Sequence, residues 1–166
     1  MNKTGVQVAT SRCFVVNDWL LHDLQGDNGR KRQDEARLFL LALKKKCDRI
    51  AFIRGTSWAQ KAYKLMKILL PSVRELSKYL HEAIIGDRKK CLRLASNAVS
   101  SVPETVRKLV PADDMYLFEA YFAANAAALI TTDERLQKKI HSNPEAQGKV
   151  LVLIREEFLR EYMGSL

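Results

Sequence analysis

What is lacking or scarce narrows the reading of this chain of 166 residues before any motif is weighed. No run of apolar residues approaches the roughly 18 needed to cross a bilayer, which argues against a membrane-spanning protein. Residues 1–12 are polar and lack the apolar stretch of a secretory signal. Cysteine is scarce: Cys13, Cys47 and Cys91 are odd in number and far apart. They match neither a zinc-site spacing nor a disulfide framework, so reduced and mostly buried thiols in a cytoplasmic protein are expected. Histidine is also sparse, and His22, His81 and His141 are scattered as surface or packing residues would be. Internal repeats, low-complexity segments and long linkers are lacking too.

Positive charge, by contrast, is in excess. Lys and Arg number 28 against 19 Asp and Glu, a formal net charge of +9. That favours a polyanionic partner, nucleic acid before a membrane surface. With 47% hydrophobic residues the chain can build one globular domain around a substantial core.

Hydrophobic patterning supplies the fold class. Short apolar runs at 13–16, 49–54, 128–131 and 150–154 read as buried strands. Between them, apolar residues recur at helical spacing: Ala36, Phe39, Leu40 and Leu43 in one segment, Trp58, Ala62 and Leu65 in the next. Pro71 opens a further helix with Val73, Leu76, Leu80 and Ile84 on one face, and another helix is expected between 87 and 99. Residues 25–32, rich in Gly, Asp and Asn before three basic residues, read as a mobile loop. Strands alternating with helices predict a three-layer α/β/α fold with a central parallel sheet of four to five strands, Rossmann-like in architecture. Residues 1–166 form a single domain in this reading, with a helical insertion at about 71–110.

Carboxylates fall where such a sheet would gather them. Asp18 ends the first strand, Asp133 follows Leu129-Ile130-Thr131-Thr132, and Asp113-Asp114 opens the helix before that strand. Side chains at the carboxyl ends of parallel strands share one edge of the sheet, where open α/β folds place their sites. Oxygen donors collected there suit Mg²⁺ or Mn²⁺, and a metal-activated water needs no side-chain nucleophile. Each carboxylate also has a plainer role: Asp133 and Asp114 as helix caps, Asp18 as a turn residue. Asn17 is the alternative inward residue at the first strand's end, because neighbouring strand positions point to opposite faces.

Four stretches in order carry a family resemblance. They are Phe14-Val15-Val16-Asn17-Asp18-Trp19-Leu20-Leu21, Asp114-Met115-Tyr116-Leu117-Phe118-Glu119-Ala120, Leu129-Ile130-Thr131-Thr132-Asp133, and Val150-Leu151-Val152-Leu153-Ile154-Arg155-Glu156-Glu157-Phe158-Leu159. Together they resemble the PIN-domain ribonucleases. The resemblance implies a PIN-like fold and Mg²⁺- or Mn²⁺-dependent cleavage of single-stranded or structured RNA. It assigns Asp18, Asp114 and Asp133 as metal-holding and catalytic residues, with Asp113 and Glu35 as auxiliaries. Two departures stand out: Asn17 occupies the position where the family has its first Asp, with Asp18 one residue late. Where the second acid is usual, Trp58-Ala59-Gln60-Lys61-Ala62 carries no carboxylate.

Among the basic clusters, Arg30-Lys31-Arg32 is expected to contact nucleic-acid phosphates, since it follows the first motif closely. Trp19, Trp58 and Tyr63 are available either for base stacking or for packing, packing being the expected use of the two tryptophans. Other readings of the same chain are a degenerate module that grips RNA or protein without cutting, and a toxin nuclease of a toxin–antitoxin pair held by an inhibitory partner protein. A homodimer is compatible with each.

Overall fold

A computed structural model describes residues 11–97 and 102–164. The polar stretch 1–10, on which the expectation about a leader rests, lies outside the described residues. Five parallel strands form one sheet: β1 (Cys13–Val16), β2 (Arg49–Ile53), β3 (Cys91–Leu94), β4 (Ala128–Thr131) and β5 (Val152–Ile154), in the spatial order β3-β2-β1-β4-β5. Helices α1 (Trp19–Gln25) and α2 (Arg30–Lys45) link β1 to β2, and α3 (Ser57–Leu65) and α4 (Pro71–Tyr79) link β2 to β3. The return to β4 runs through α5 (Glu104–Arg107) and α6 (Met115–Ala123). Helices α7 (Glu134–His141) and α8 (Pro144–Gln147) precede β5, and α9 (Arg155–Gly164) closes the described chain.

The strands alternate between two cores. Phe14, Val16, Ile50, Phe52, Ala128 and Ile130 pack with Leu20, Phe39, Trp58, Val73, Phe158 and Tyr162 from the helices of one face. Val15, Ile53, Leu129 and Val152 pack with Val106, Phe118, Leu136, Ile140 and Ala146 on the other. Strands β1, β2 and β4 are thus buried on both sides, which is why each reads in sequence as an apolar run. The result is a three-layer α/β/α, Rossmann-like fold. No helix among the described residues is long and apolar enough to cross a membrane.

Two expectations change. The loop before α2 is shorter than composition suggests. Gly26 and Gly29 both take positive φ (90° and 94°), which confines the turn, and Arg30 already stands in the first turn of α2. The segment 71–110 is also not helical throughout. A π-helical turn, Leu80–Ile85, follows α4, and then Cys91–Leu94 pairs in parallel with β2, Ile50 beside Cys91 and Ile53 beside Leu94. A strand therefore stands where a helix was expected between 87 and 99. Four residues with Cys91 buried and Arg93 exposed are too few for periodicity to separate an edge strand from a helical turn.

The chain builds β1, β2 and β3 outward in one direction, then crosses back to lay β4 on the free side of β1. Its order reverses between β1 and β4. Phe14, Val15 and Val16 pair there with Ala128, Leu129 and Ile130. A crevice beyond the carboxyl ends of these two strands is the place where this topology puts ligand sites.

Candidate active site: a carboxylate crevice at the switch point

At the switch point, residues 114 apart in sequence are joined: Asn17 Nδ2 donates to Thr131 Oγ1 at 3.3 Å. Thr131 Oγ1 also accepts the Asp133 backbone N–H at 3.1 Å, so one buried hydroxyl ties both strand ends together. The Asn17 N–H continues the β1–β4 ladder to the Ile130 carbonyl at 2.9 Å, and Trp19 Nε1 donates to the same oxygen at 3.1 Å. Asn17 is thus the residue turned toward β4. Its Oδ1 accepts the Asp18 N–H at 2.7 Å, and the Asp18 side chain is left to face α3.

There Asp18 meets a lysine. Lys61, one turn into α3, donates to Asp18 Oδ2 at 2.5 Å, and His22 Nε2 stands 3.5 Å from that oxygen. Lys61 lies in the stretch where the family resemblance leads one to expect an acid. Sequence reasoning recorded the missing carboxylate but assigned no role to the lysine.

Asp114 ends a 3₁₀ turn, Ala112–Asp114, that Pro111 opens ahead of α6. Burial, and then the negative charges of Asp133, Asp18 and Asp113 in that order, push its carboxyl above the ordinary range. Those charges act on Asp114 because the fold brings their elements to the same edge. Tyr116, two residues on, belongs to the same crevice. Burial raises its phenol, a hydrogen bond with Ser57 lowers it, and the charges of Asp18, Lys61 and Asp114 all act on it. It was hidden in sequence within an apolar helix stripe.

Asp133 is the N-cap of α7, its Oδ1 accepting the Leu136 N–H at 3.0 Å. A cap leaves the second carboxylate oxygen for other partners, so the two readings of this residue are compatible. Among the described residues no set of three or more His, Cys, Asp or Glu side chains closes into a cage for a metal ion. The donor set itself, three carboxylates around Asp114, is of the hard-oxygen kind that Mg²⁺ and Mn²⁺ take.

Glu35 lies elsewhere. Its Oε2 accepts from Arg155 Nη1 at 3.0 Å, and the same guanidinium, only 1% exposed, holds the fully buried Asp23 through Nε at 2.8 Å. Glu35 is therefore part of a structural ion-pair network linking α1, α2 and α9, which accounts for its charge without a metal.

Trp19 and Trp58 are buried, in agreement with a packing role, whereas Tyr63 is exposed and stacks on His81 at 5.6 Å. Arg30, Lys31 and Arg32 form the first turn of α2, with Arg32 3.3 Å from Glu156. A second basic group, Arg135 and Lys139 on α7, flanks Asp133 in a shallow cleft with Pro111 and Leu136. Comparison with protein-family models, with curated proteins and with solved structures returns no match to this chain.

Proposed function

We propose that this protein is a metal-dependent ribonuclease of PIN-like fold, hydrolysing phosphodiester bonds of single-stranded or structured RNA in the crevice between β1 and β4. The carrying observation is electrostatic: Asp114 is held with its carboxyl raised by burial and by the facing charges of Asp133, Asp18 and Asp113. Like charges kept together in a folded protein are a cost, and a hard divalent cation is the ligand that relieves it. Asp18, Asp114 and Asp133 would hold Mg²⁺ or Mn²⁺, which when bound supplies an acidified water and charge neutralisation at the leaving oxygen.

The chain's own residues then position and attract. The Asn17–Thr131 hydrogen bond fixes the two strand ends, and the Asp133 cap fixes the start of α7. Arg30, Lys31 and Arg32 stand at the positive end of the α2 dipole with no acid in that turn, an arrangement that costs about 0.3–1 kcal/mol per charge. Contact with a phosphate backbone offsets such a cost and gives salt-dependent affinity with little sequence choice. Asp133→Asn retains the cap, since Asn caps as well as Asp. It should abolish Mn²⁺-dependent RNA cleavage while the far-UV circular dichroism and Tm stay at wild-type values. Unchanged turnover refutes the assignment.

A second reading has its own observations. Asn17 is neutral where the resemblance expects an acid, and Asp18 is bound by Lys61. In that reading the domain grips RNA without cutting it. Salt-sensitive RNA binding, with neither Mn²⁺ binding nor cleavage, selects it over the first.

A further inference from the structure

We infer that Lys61 is the resident counter-ion of the carboxylate crevice: its ammonium holds Asp18 and thereby sets how strongly a divalent cation is bound there. The inference rests on the reading of the crevice as a cation site and adds a residue that controls it.

The position of Lys61 is built rather than incidental. Helix α3 is anchored by the buried residues Trp58, Ala59, Ala62 and Leu65. Ser57, the first residue of the helix, acts on the Tyr116 hydroxyl of α6. Lys61 follows Ser57 by one turn, so it projects from a fixed segment toward the end of β1. Its side chain is 39% exposed and that of Asp18 31% exposed, and their contact is 2.5 Å. The Lys61 charge also acts on the Tyr116 hydroxyl, which Asp114 and Asp18 reach as well. The ammonium therefore stands among the groups that would surround a bound cation.

Charge bookkeeping gives the direction. Asp18, Asp113, Asp114 and Asp133 bring four carboxylates to the crevice and Lys61 returns one positive charge, so the balance stays negative. A divalent cation entering beside Asp18 must either displace the ammonium or tolerate it. A single and a double positive charge about 6 Å apart in water repel enough to lower affinity about tenfold. A cation bound against this resistance is held loosely and responds to anything that draws Lys61 away, an RNA phosphate above all.

Mn²⁺ titration of the full chain in the absence of RNA tests this, followed calorimetrically and by the electron-spin-resonance signal of free Mn²⁺. Lys61→Gln should tighten Mn²⁺ binding about tenfold, equivalent to about 1.4 kcal/mol. Lys61→Glu should tighten it further, and Lys61→Arg should behave as wild type. Lys61→Met, which keeps the apolar stem, carries the same expectation as Lys61→Gln should the latter fold poorly. Equal Mn²⁺ affinity in wild type and the uncharged variants overturns the role of Lys61 while leaving the cation site standing. No Mn²⁺ binding into the millimolar range by wild type and variants alike overturns both. A gain that survives Asp114→Asn in the Lys61→Gln background puts the ion elsewhere and also overturns the inference.

Discussion

Removing Asp23 should be among the most damaging single changes available in this fold. Asp23 is fully buried, accepts from Arg155 Nε at 2.8 Å and from Asn28 Nδ2 at 2.7 Å, and Arg155 itself is 1% exposed. The guanidinium lies over Trp19, 5.0 Å from the ring, and its other carboxylate contacts are Glu35 at 3.0 Å and Glu156 at 3.5 Å. Asp23→Ala would leave a buried cation with its fully buried partner gone. Breaking a buried pair in this way costs about 3–5 kcal/mol. With a urea m-value of about 2 kcal/mol per molar, the unfolding midpoint falls by roughly 1.5–2.5 M. The assay is a urea melt followed by far-UV circular dichroism and tryptophan fluorescence, Trp19 reporting directly on the site. Arg155→Met should cost a similar amount. The double variant Asp23→Leu/Arg155→Met should lose far less than the sum, because it leaves no fully buried charge unpaired, Glu35 and Glu156 both reaching solvent. A midpoint shift below about 0.5 M for Asp23→Ala, or additive losses in the double variant, would refute the reasoning.

Two further outcomes follow from the titrating groups. The Asp114 carboxyl is raised above its unfolded value by burial and then by Asp133, Asp18 and Asp113, so the folded state binds the extra proton and stability falls as pH rises through the raised value. Asp114→Asn should therefore stabilise the protein at neutral pH and flatten that part of the Tm–pH curve; a lower Tm at neutral pH contradicts the repulsion. Of the three thiols, Cys47 is exposed, while Cys13 and Cys91 are buried and burial pushes Cys91 up to about 12. A thiol reagent near neutral pH should modify one cysteine in the native protein and all three in urea, and rapid native modification of Cys91 contradicts its placement.

Legibility in the sequence followed burial. Strands β1, β2 and β4 were readable because a parallel strand covered on both faces must be continuously apolar, and the Asp133 cap was readable because capping is local. Strand β3 was not, since an edge strand of four residues with one exposed arginine carries too few positions for a period to register. The ion pairs were invisible for a different reason. Lys61–Asp18 spans 43 residues and Arg155–Glu35 spans 120, and nothing local marks a lysine or a glutamate as one half of a pair. Whether Asn17 or Asp18 faced β4 depended on strand register, which one residue of slip inverts. The sequence therefore located the edge of the sheet where the carboxylates gather, but not which of them would be engaged by neighbours.

The central place of β1 has a cost during synthesis. It emerges early and can pair with β2 soon after, yet its other neighbour, β4, is translated more than a hundred residues later, as the 114-residue span from Asn17 to Thr131 records. At translation rates of about 5–20 residues per second, one side of an apolar strand waits roughly 6–20 s with its backbone donors and acceptors unmatched. An open strand of that composition invites pairing with other nascent chains. Delayed closure means that the crevice cannot exist in any form until β4 has joined the sheet beside β1.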